Sequence, residues 1–197
     1  MEPNGYSRKK VRKDGNVRYY NSDRDGLIHR EDGPAVEMAD GTTAWYRHGN
    51  LHREDGPAVE RPDGTKEWYK NGYLHREDGP AKEDADGSKD WYQNGKRHRA
   101  DGPAIEWEDG YRSWYQNGKR HREDGPAVEM ADGTKAWYRH GNLHRLDGPA
   151  VERPDGAKEY WLSGKKVTEE DFRALHPEAF AASTGEKKRK AKTPGMG

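Results

Sequence analysis

The chain has 197 residues, of which 29% are hydrophobic and 37% charged, with 36 basic residues against 36 acidic ones and no cysteine. These proportions exclude a thick apolar core, a disulfide framework, thiolate metal sites and a bilayer-spanning segment. Charge is unevenly placed: residues 1–13 and 183–197 each hold five Lys or Arg against one Glu, so each end is +4, while the body between them is −8.

In chain order, residues 1–13, MEPNGYSRKKVRK, read as a basic N-terminal tail without the apolar run of a signal peptide. A soluble, cytoplasmic protein is expected. Asp14-Gly15 then opens an atypical first unit that ends on Tyr19-Tyr20. From His29 the sequence HREDGPA recurs at His52, His75 and His121, with the near copies HRADGPA at His98 and HRLDGPA at His144. The six histidines stand at a constant step of 23 residues, the mark of stacked units that each need a neighbour to complete them.

Within one unit, Pro34 to His52, Asp40-Gly41 separates two short runs and reads as the two-residue loop of a hairpin. That loop sets Val36 opposite Trp45 and Glu37 opposite Ala44, and opposed residues share a face. The Val36 place holds Val59, Ile105, Val128 and Val151 in other units and is broken by Lys82. The Met38 place is free, holding Met, Arg, Asp, Trp107, Met and Arg in turn, and marks a rim where units differ in what they touch. His48-Gly49 and its equivalents Asn71-Gly72, Asn94-Gly95, Asn117-Gly118, His140-Gly141 and Ser163-Gly164 supply the next tight turn. The expected fold is all-β: an elongated single-layer antiparallel meander of about seven hairpin units over residues 14–166, roughly 70 Å long at two strands per unit. After Val167 the pattern changes to TEEDFRALHPEAF, in which Thr168 and Asp171 resemble a capping box and Phe172, Leu175 and Phe180 cover the last hairpin. A helical cap is expected over 167–182, followed by a disordered basic tail over 183–197.

His with two carboxylates within three residues is raw material for metal ligation or acid–base chemistry. Equivalent histidines of successive units would stand about 10 Å apart, too far to share one metal, and every unit offers the same groups rather than unlike groups converging on a pocket. The heptapeptide therefore reads as scaffold: Asp and Gly-Pro shape a loop, and Arg and Glu of successive units form a ladder of paired charges. No enzyme and no cofactor is expected.

The pattern WYxNGKxHxxDGPAxExxDGTxxWY resembles the MORN repeat, a 23-residue β-hairpin unit, and more closely its divergent form in YwqK-like antitoxin-component proteins and in phage and giant-virus proteins carrying HRxDGPA. The resemblance covers about residues 14–166 and departs where HREDGPA stands in place of small residues. It implies a scaffold that neutralises a partner, antitoxin-like or in viral counter-defence.

Trp, Tyr and Arg are the residues that most often anchor interfaces. The candidate contacts with a partner protein are Trp45, Trp68, Trp91, Trp114 and Trp137, the additional Trp107, and Tyr46, Tyr69, Tyr92, Tyr115 and Tyr138. The loop arginines Arg53, Arg76, Arg99 and Arg122 join them. A second reading gives nucleic acid to RKKVRK at 8–13 and GEKKRKAK at 185–192, with bases stacked on the aromatic ladder. A third, a membrane-surface scaffold, has no amphipathic helix behind it. Glu31–Tyr69 and Glu123–Trp161 are nearly identical at a shift of 92 residues, four units, which sets up two equivalent surfaces for two copies of a partner. The edge strands of the sheet offer a route to homo-oligomers.

Overall fold

Each Asp-Gly turn closes a hairpin, and these hairpins hydrogen-bond side by side. In the computed structural model, which describes residues 7–21 and 26–181, they form one 15-stranded antiparallel sheet. It starts with β1 (Ser7–Val11) and β2 (Val17–Asn21), continues with β3 (Val36–Glu37) and β4 (Thr43–Ala44), and repeats to Lys165–Val167. Beyond Trp45, β5 (Tyr46–Arg47) and β6 (Asn50–Leu51) make a separate two-stranded ribbon around His48-Gly49, and four more such ribbons follow. The expected all-β hairpin meander is the observed architecture. Each internal unit contributes one hairpin to the continuous sheet and one that pairs only with itself.

The two kinds of turn differ in backbone chemistry. In the ribbons both central residues have positive φ, as at Asn71 (52°) and Gly72 (83°), which is the type I′ requirement. In the sheet hairpins only the glycine does, as at Gly41 (92°). There the Gly41 N–H donates to the Met38 carbonyl at 3.0 Å and the Met38 N–H to the Thr42 carbonyl at 2.8 Å. The loop is thus three residues, Ala39-Asp40-Gly41, a type I turn closed by a left-handed glycine. Asp40 Oδ1 fixes it by accepting the Thr42 N–H at 2.8 Å.

This extra loop residue corrects the expected register. Val36 pairs with Ala44, not Trp45, and Glu37 pairs with Thr43. A slip of one residue exchanges faces, so Trp45 leaves the valine face for the opposite one.

Two transverse rows result. On the inner face run Val36, Ala44, Val59, Glu67, Lys82 and Asp90, then Ile105, Ser113, Val128, Ala136 and Val151. Its apolar ends are the core: Val36, Ala44 and Val59 with Tyr46 and Leu51 against them, and 92 residues later Val128, Ala136 and Val151 with Tyr138 and Leu143. The middle, Glu67-Lys82-Asp90, is charged yet sheltered, with Glu67 8% and Asp90 7% exposed. On the outer face, acid and base alternate from Glu60 and Lys66 through Glu83, Lys89 and Glu106 to Arg112. Opposite charges directly across a strand pair are favourable.

The ends differ from the expected boundaries. Residues 7–11, assigned to a tail, form β1 and pair with β2 from Ser7↔Asn21 to Val11↔Val17. At the other end Thr168 caps α1 (Glu169–Leu175): its Oγ1 accepts the Asp171 N–H at 3.0 Å. Phe172 is fully buried with its ring 4.9 Å from that of Tyr160, which holds the tryptophan place of the last unit. Leu175 is 61% exposed and covers nothing. A one-turn helix α2 (Glu178–Ala181) follows Pro177. The side chain of Phe180, residues 1–6 of the N-terminal stretch and the 183–197 tail lie outside the described residues. Among the described residues no helix is long and apolar enough to cross a membrane.

Candidate functional site

The heptapeptide is where chemistry was in question, and one copy shows how its groups are engaged. His52 Nδ1 accepts the Asn71 N–H at 3.1 Å, closing the next ribbon turn from below. Arg53 lies with Cζ 4.2 Å from the Trp45 ring centroid. Its Nε donates to Asp55 at 3.0 Å, and one terminal nitrogen donates to the Pro57 carbonyl at 3.2 Å and to Glu60 at 3.0 Å. A Cβ on Gly56 would stand 3.0 Å from Arg53 Cζ, so the guanidinium is held between an indole and a glycine. Ala58 is fully buried; its N–H donates to the Glu67 carbonyl and its carbonyl accepts the Trp45 N–H, both at 2.8 Å.

The arrangement repeats without exception. Arg30 lies over Tyr19 at 4.2 Å, and Arg76, Arg99, Arg122 and Arg145 lie over Trp68, Trp91, Trp114 and Trp137 at 3.9 to 4.1 Å. All six histidines accept a ribbon-turn N–H on Nδ1, at 3.1 to 3.3 Å. Nδ1 is the acceptor in each ring, so the ring hydrogen is placed on Nε2. The arginine holds Asp55 below the usual carboxylate range by hydrogen bonding, and does the same for Asp32, Asp78, Asp101 and Asp124.

The expected charge ladder between successive units takes another form. Arg53 pairs with Asp55 and Glu60, two and seven residues on, and reaches the preceding unit by stacking on Trp45, while Arg47 meets Glu54 of the next loop at 3.2 Å. That commitment changes the standing of the candidate contacts. The ladder residues Trp45, Trp68, Trp91, Trp114 and Trp137 are half-buried and stacked on arginine. Tyr46 and Tyr69 pack on one core cluster and Tyr138 on the other. Tyr92 and Tyr115 flank Arg97, whose Cζ is 5.5 and 5.7 Å from their centroids. Only Trp107 of the named tryptophans stands out, 43% exposed and 4.7 Å from the Tyr111 ring.

Between successive loops lie clefts of about 860, 550 and 700 Å³ whose walls are the His-Arg-Glu-Asp segments of two units, with Leu146 in place of one glutamate in the last. In each, the heptapeptide arginines are already paired with the aspartates two residues on. Among the described residues no group of three or more His, Asp or Glu is placed to hold a metal ion.

Two rows of side chains lie outside the repeated arginine–tryptophan and histidine contacts. One is the third heptapeptide position, where Glu31, Glu54, Glu77 and Glu123 are exposed and Leu146 is 47% exposed. The other is the Met38 place: Met38, Trp107 and Met130 are 43 to 44% exposed. In the same row Arg61 and Arg153 fold back onto Glu67 and Glu159 at 2.8 and 2.6 Å. Tyr73, 62% exposed beside a ribbon turn, was not among the expected contacts; only the ribbon turn next to it signals its place. No protein-family model and no curated protein matches the chain.

Proposed function

We propose that the protein is a non-catalytic repeat scaffold that binds a partner protein through variable side chains mounted on a self-satisfied frame. One observation carries the reading. The recurring residues are hydrogen-bonded or stacked within the chain, whereas Met38, Trp107 and Met130, which occupy one structural place in different units, expose apolar surface. Interfaces favour aromatic and methionine side chains of this kind. The resemblance to antitoxin-component and viral repeat proteins supports a neutralising role for the same surface. Nucleic acid is the weaker reading, since the tryptophan faces on which bases would stack are covered by arginine.

Affinity capture from the native cellular setting tests this, using the intact chain and the triple variant Met38→Ser/Trp107→Ala/Met130→Ser. A protein that survives a high-salt wash on the intact chain and is absent from an equally stable triple variant is the expected result. Identical capture by both chains would remove these residues from the binding surface.

A further inference from the structure

Where a turn glycine lies close to a turn of a neighbouring unit, that turn is of its own kind. A Cβ on Gly41 would stand 3.2 Å from Pro62, and one on Gly133 would stand 3.5 Å from Pro154, all Asp-Gly turn residues. A Cβ on Gly72 would stand 3.2 Å from Asn50, one on Gly95 3.0 Å from Tyr73, and one on Gly118 3.6 Å from Lys96, all ribbon-turn residues. The extended stretch from Thr42 to Arg47 separates the two kinds. The rod therefore has two long rims, one of Asp-Gly turns and one of ribbon turns.

The rims carry opposite charge. Residues 38–42 and their five equivalents, ending at 153–157, contain eight acids and two bases, a net of −6, and every unit has an exposed turn Asp or Glu. The two bases, Arg61 and Arg153, are bound to Glu67 and Glu159 of the sheet. Residues 47–50 and their five equivalents, ending at 162–165, contain Arg47, Lys70, Lys96, Lys119, Arg139 and Lys165 and no acid, a net of +6. All six are exposed, and Arg47 also meets Glu54 of the adjoining loop at 3.2 Å. The overall balance of zero conceals a rod that is polarised across its width.

We propose that copies of this chain associate side by side, the acidic rim of one against the basic rim of the next. Matching pitch is what favours a second copy over other polyanions. Both rims repeat once per unit, roughly every 10 Å, and a second rod in the same orientation presents its carboxylates at the spacing of the cations. Exposed ion pairs are individually weak and are screened beyond about 8 Å at physiological ionic strength. Attachment therefore depends on several units engaging together. The contact is heterologous, so a copy with one rim engaged still offers the other, and growth is open rather than closing at a dimer. Met38, Trp107 and Met130 stand on the acidic rim, but the proposal does not rest on the partner-binding reading, because the variants that test it change only cations of the basic rim and leave those three residues in place.

Sedimentation velocity of the full chain at about 0.02 M and about 0.5 M ionic strength tests it. Open-ended assemblies are expected at low salt, with the half-association concentration rising at least about tenfold at high salt. The triple variant Lys70→Glu/Lys96→Glu/Lys119→Glu, which brings its rim to zero, should be monomeric alone yet co-sediment with the native chain through its intact acidic rim. Lys70→Arg/Lys96→Arg/Lys119→Arg should assemble like the native chain. The proposal is overturned by a native chain that stays monomeric at low salt, by a Glu variant that assembles normally, or by loss of assembly in the Arg variant. A native chain that stays monomeric while retarding single-stranded DNA would give the rim to another polyanion and overturn it as well.

Discussion

Gly102 has no positive φ to justify it, so its requirement is one of space. A Cβ there would stand 2.9 Å from Arg99 Cζ, and ordinary contact begins near 3.4 Å, so the guanidinium must move by at least 0.5 Å. It cannot retreat directly, because the Trp91 ring lies on its other face at 4.1 Å. Sliding sideways strains the bonds to Asp101 at 3.0 Å, the Pro103 carbonyl at 3.2 Å and Glu106 at 2.8 Å. Losing the stack costs roughly 0.5–2 kcal/mol, and weakening three hydrogen bonds adds about 1 kcal/mol or more. Against this, Ala restricts the unfolded chain by about 0.4–1 kcal/mol in its favour. Gly102→Ala should therefore destabilise the rod by about 1–2 kcal/mol. The assay is urea unfolding of Gly102→Ala, Arg99→Ala and the double variant. If glycine is there only to admit the guanidinium, Gly102→Ala becomes neutral or slightly stabilising once Arg99 is Ala. An equal cost in both backgrounds would refute the steric account.

The charged middle of the inner row offers a second prediction. Asp90 and Arg97 face each other at 3.6 Å, beyond hydrogen-bond length, and burial holds the Asp90 carboxyl above its ordinary value. One unit on, Arg120 occupies the same place above Ser113 and uses the hydroxyls of Tyr115 and Tyr111 instead, at 3.2 and 3.3 Å. Lys82→Val with Asp90→Ala, which rebuilds the apolar pattern of Val36 and Ala44, should raise stability by about 1–3 kcal/mol. Lys82→Val alone should lower it by about 1–3 kcal/mol, because it breaks the 2.7 Å bond from Lys82 to Asp84 and removes a favourable charge from beside the buried Asp90 carboxylate. Trp91→Ala should cost about 3 kcal/mol, while Trp107→Ala should leave the melting temperature unchanged within about 2 °C. Acid should act in two stages. Burial first, then Arg139 and His176, hold His144 below its ordinary 6.5, so the unfolded chain takes up that proton first and stability declines as pH falls below 6.5 towards the folded value. Hydrogen bonds from Arg53 and from the Thr65 N–H hold Asp55 and Asp63 below 3.8; their contribution is complete above 3.8 and is lost as pH falls through the folded values. Asp90 works in the opposite sense between its raised folded value and 3.8. A melting temperature flat from about pH 7 to 5, or from about pH 4 to 2, would contradict the corresponding stage.

The period and the hairpin character were legible because every unit spells them again, and the capping of α1 was legible in Thr168 and Asp171. The register was not, because Asp-Gly serves both two-residue and three-residue loops, and the backbone alone decides whether the aspartate adopts positive φ. A signal was nonetheless present. Lys82 interrupts the valine column at the one place where the true register sets Glu67 and Asp90 on either side of it. The alternation of Glu60, Lys66, Glu83 and Lys89 points to the same register. The arginine–tryptophan stacks were missed because they join one unit to the next across the outer face. With the tryptophans placed on the valine face, no arginine could be brought to them.

The self-paired ribbons and two-residue strands also determine how the rod would carry tension. Pulled from its ends, the load runs along the hydrogen-bonding direction of the sheet, so ladder bonds open one after another instead of being sheared together. Each unit stores 23 residues, which extend to roughly 80 Å at about 3.4 Å per residue but occupy roughly 10 Å when folded. The rod is therefore a soft, stepwise extensible tether, giving up length one unit at a time while the remaining units stay intact, since each depends only on its neighbours.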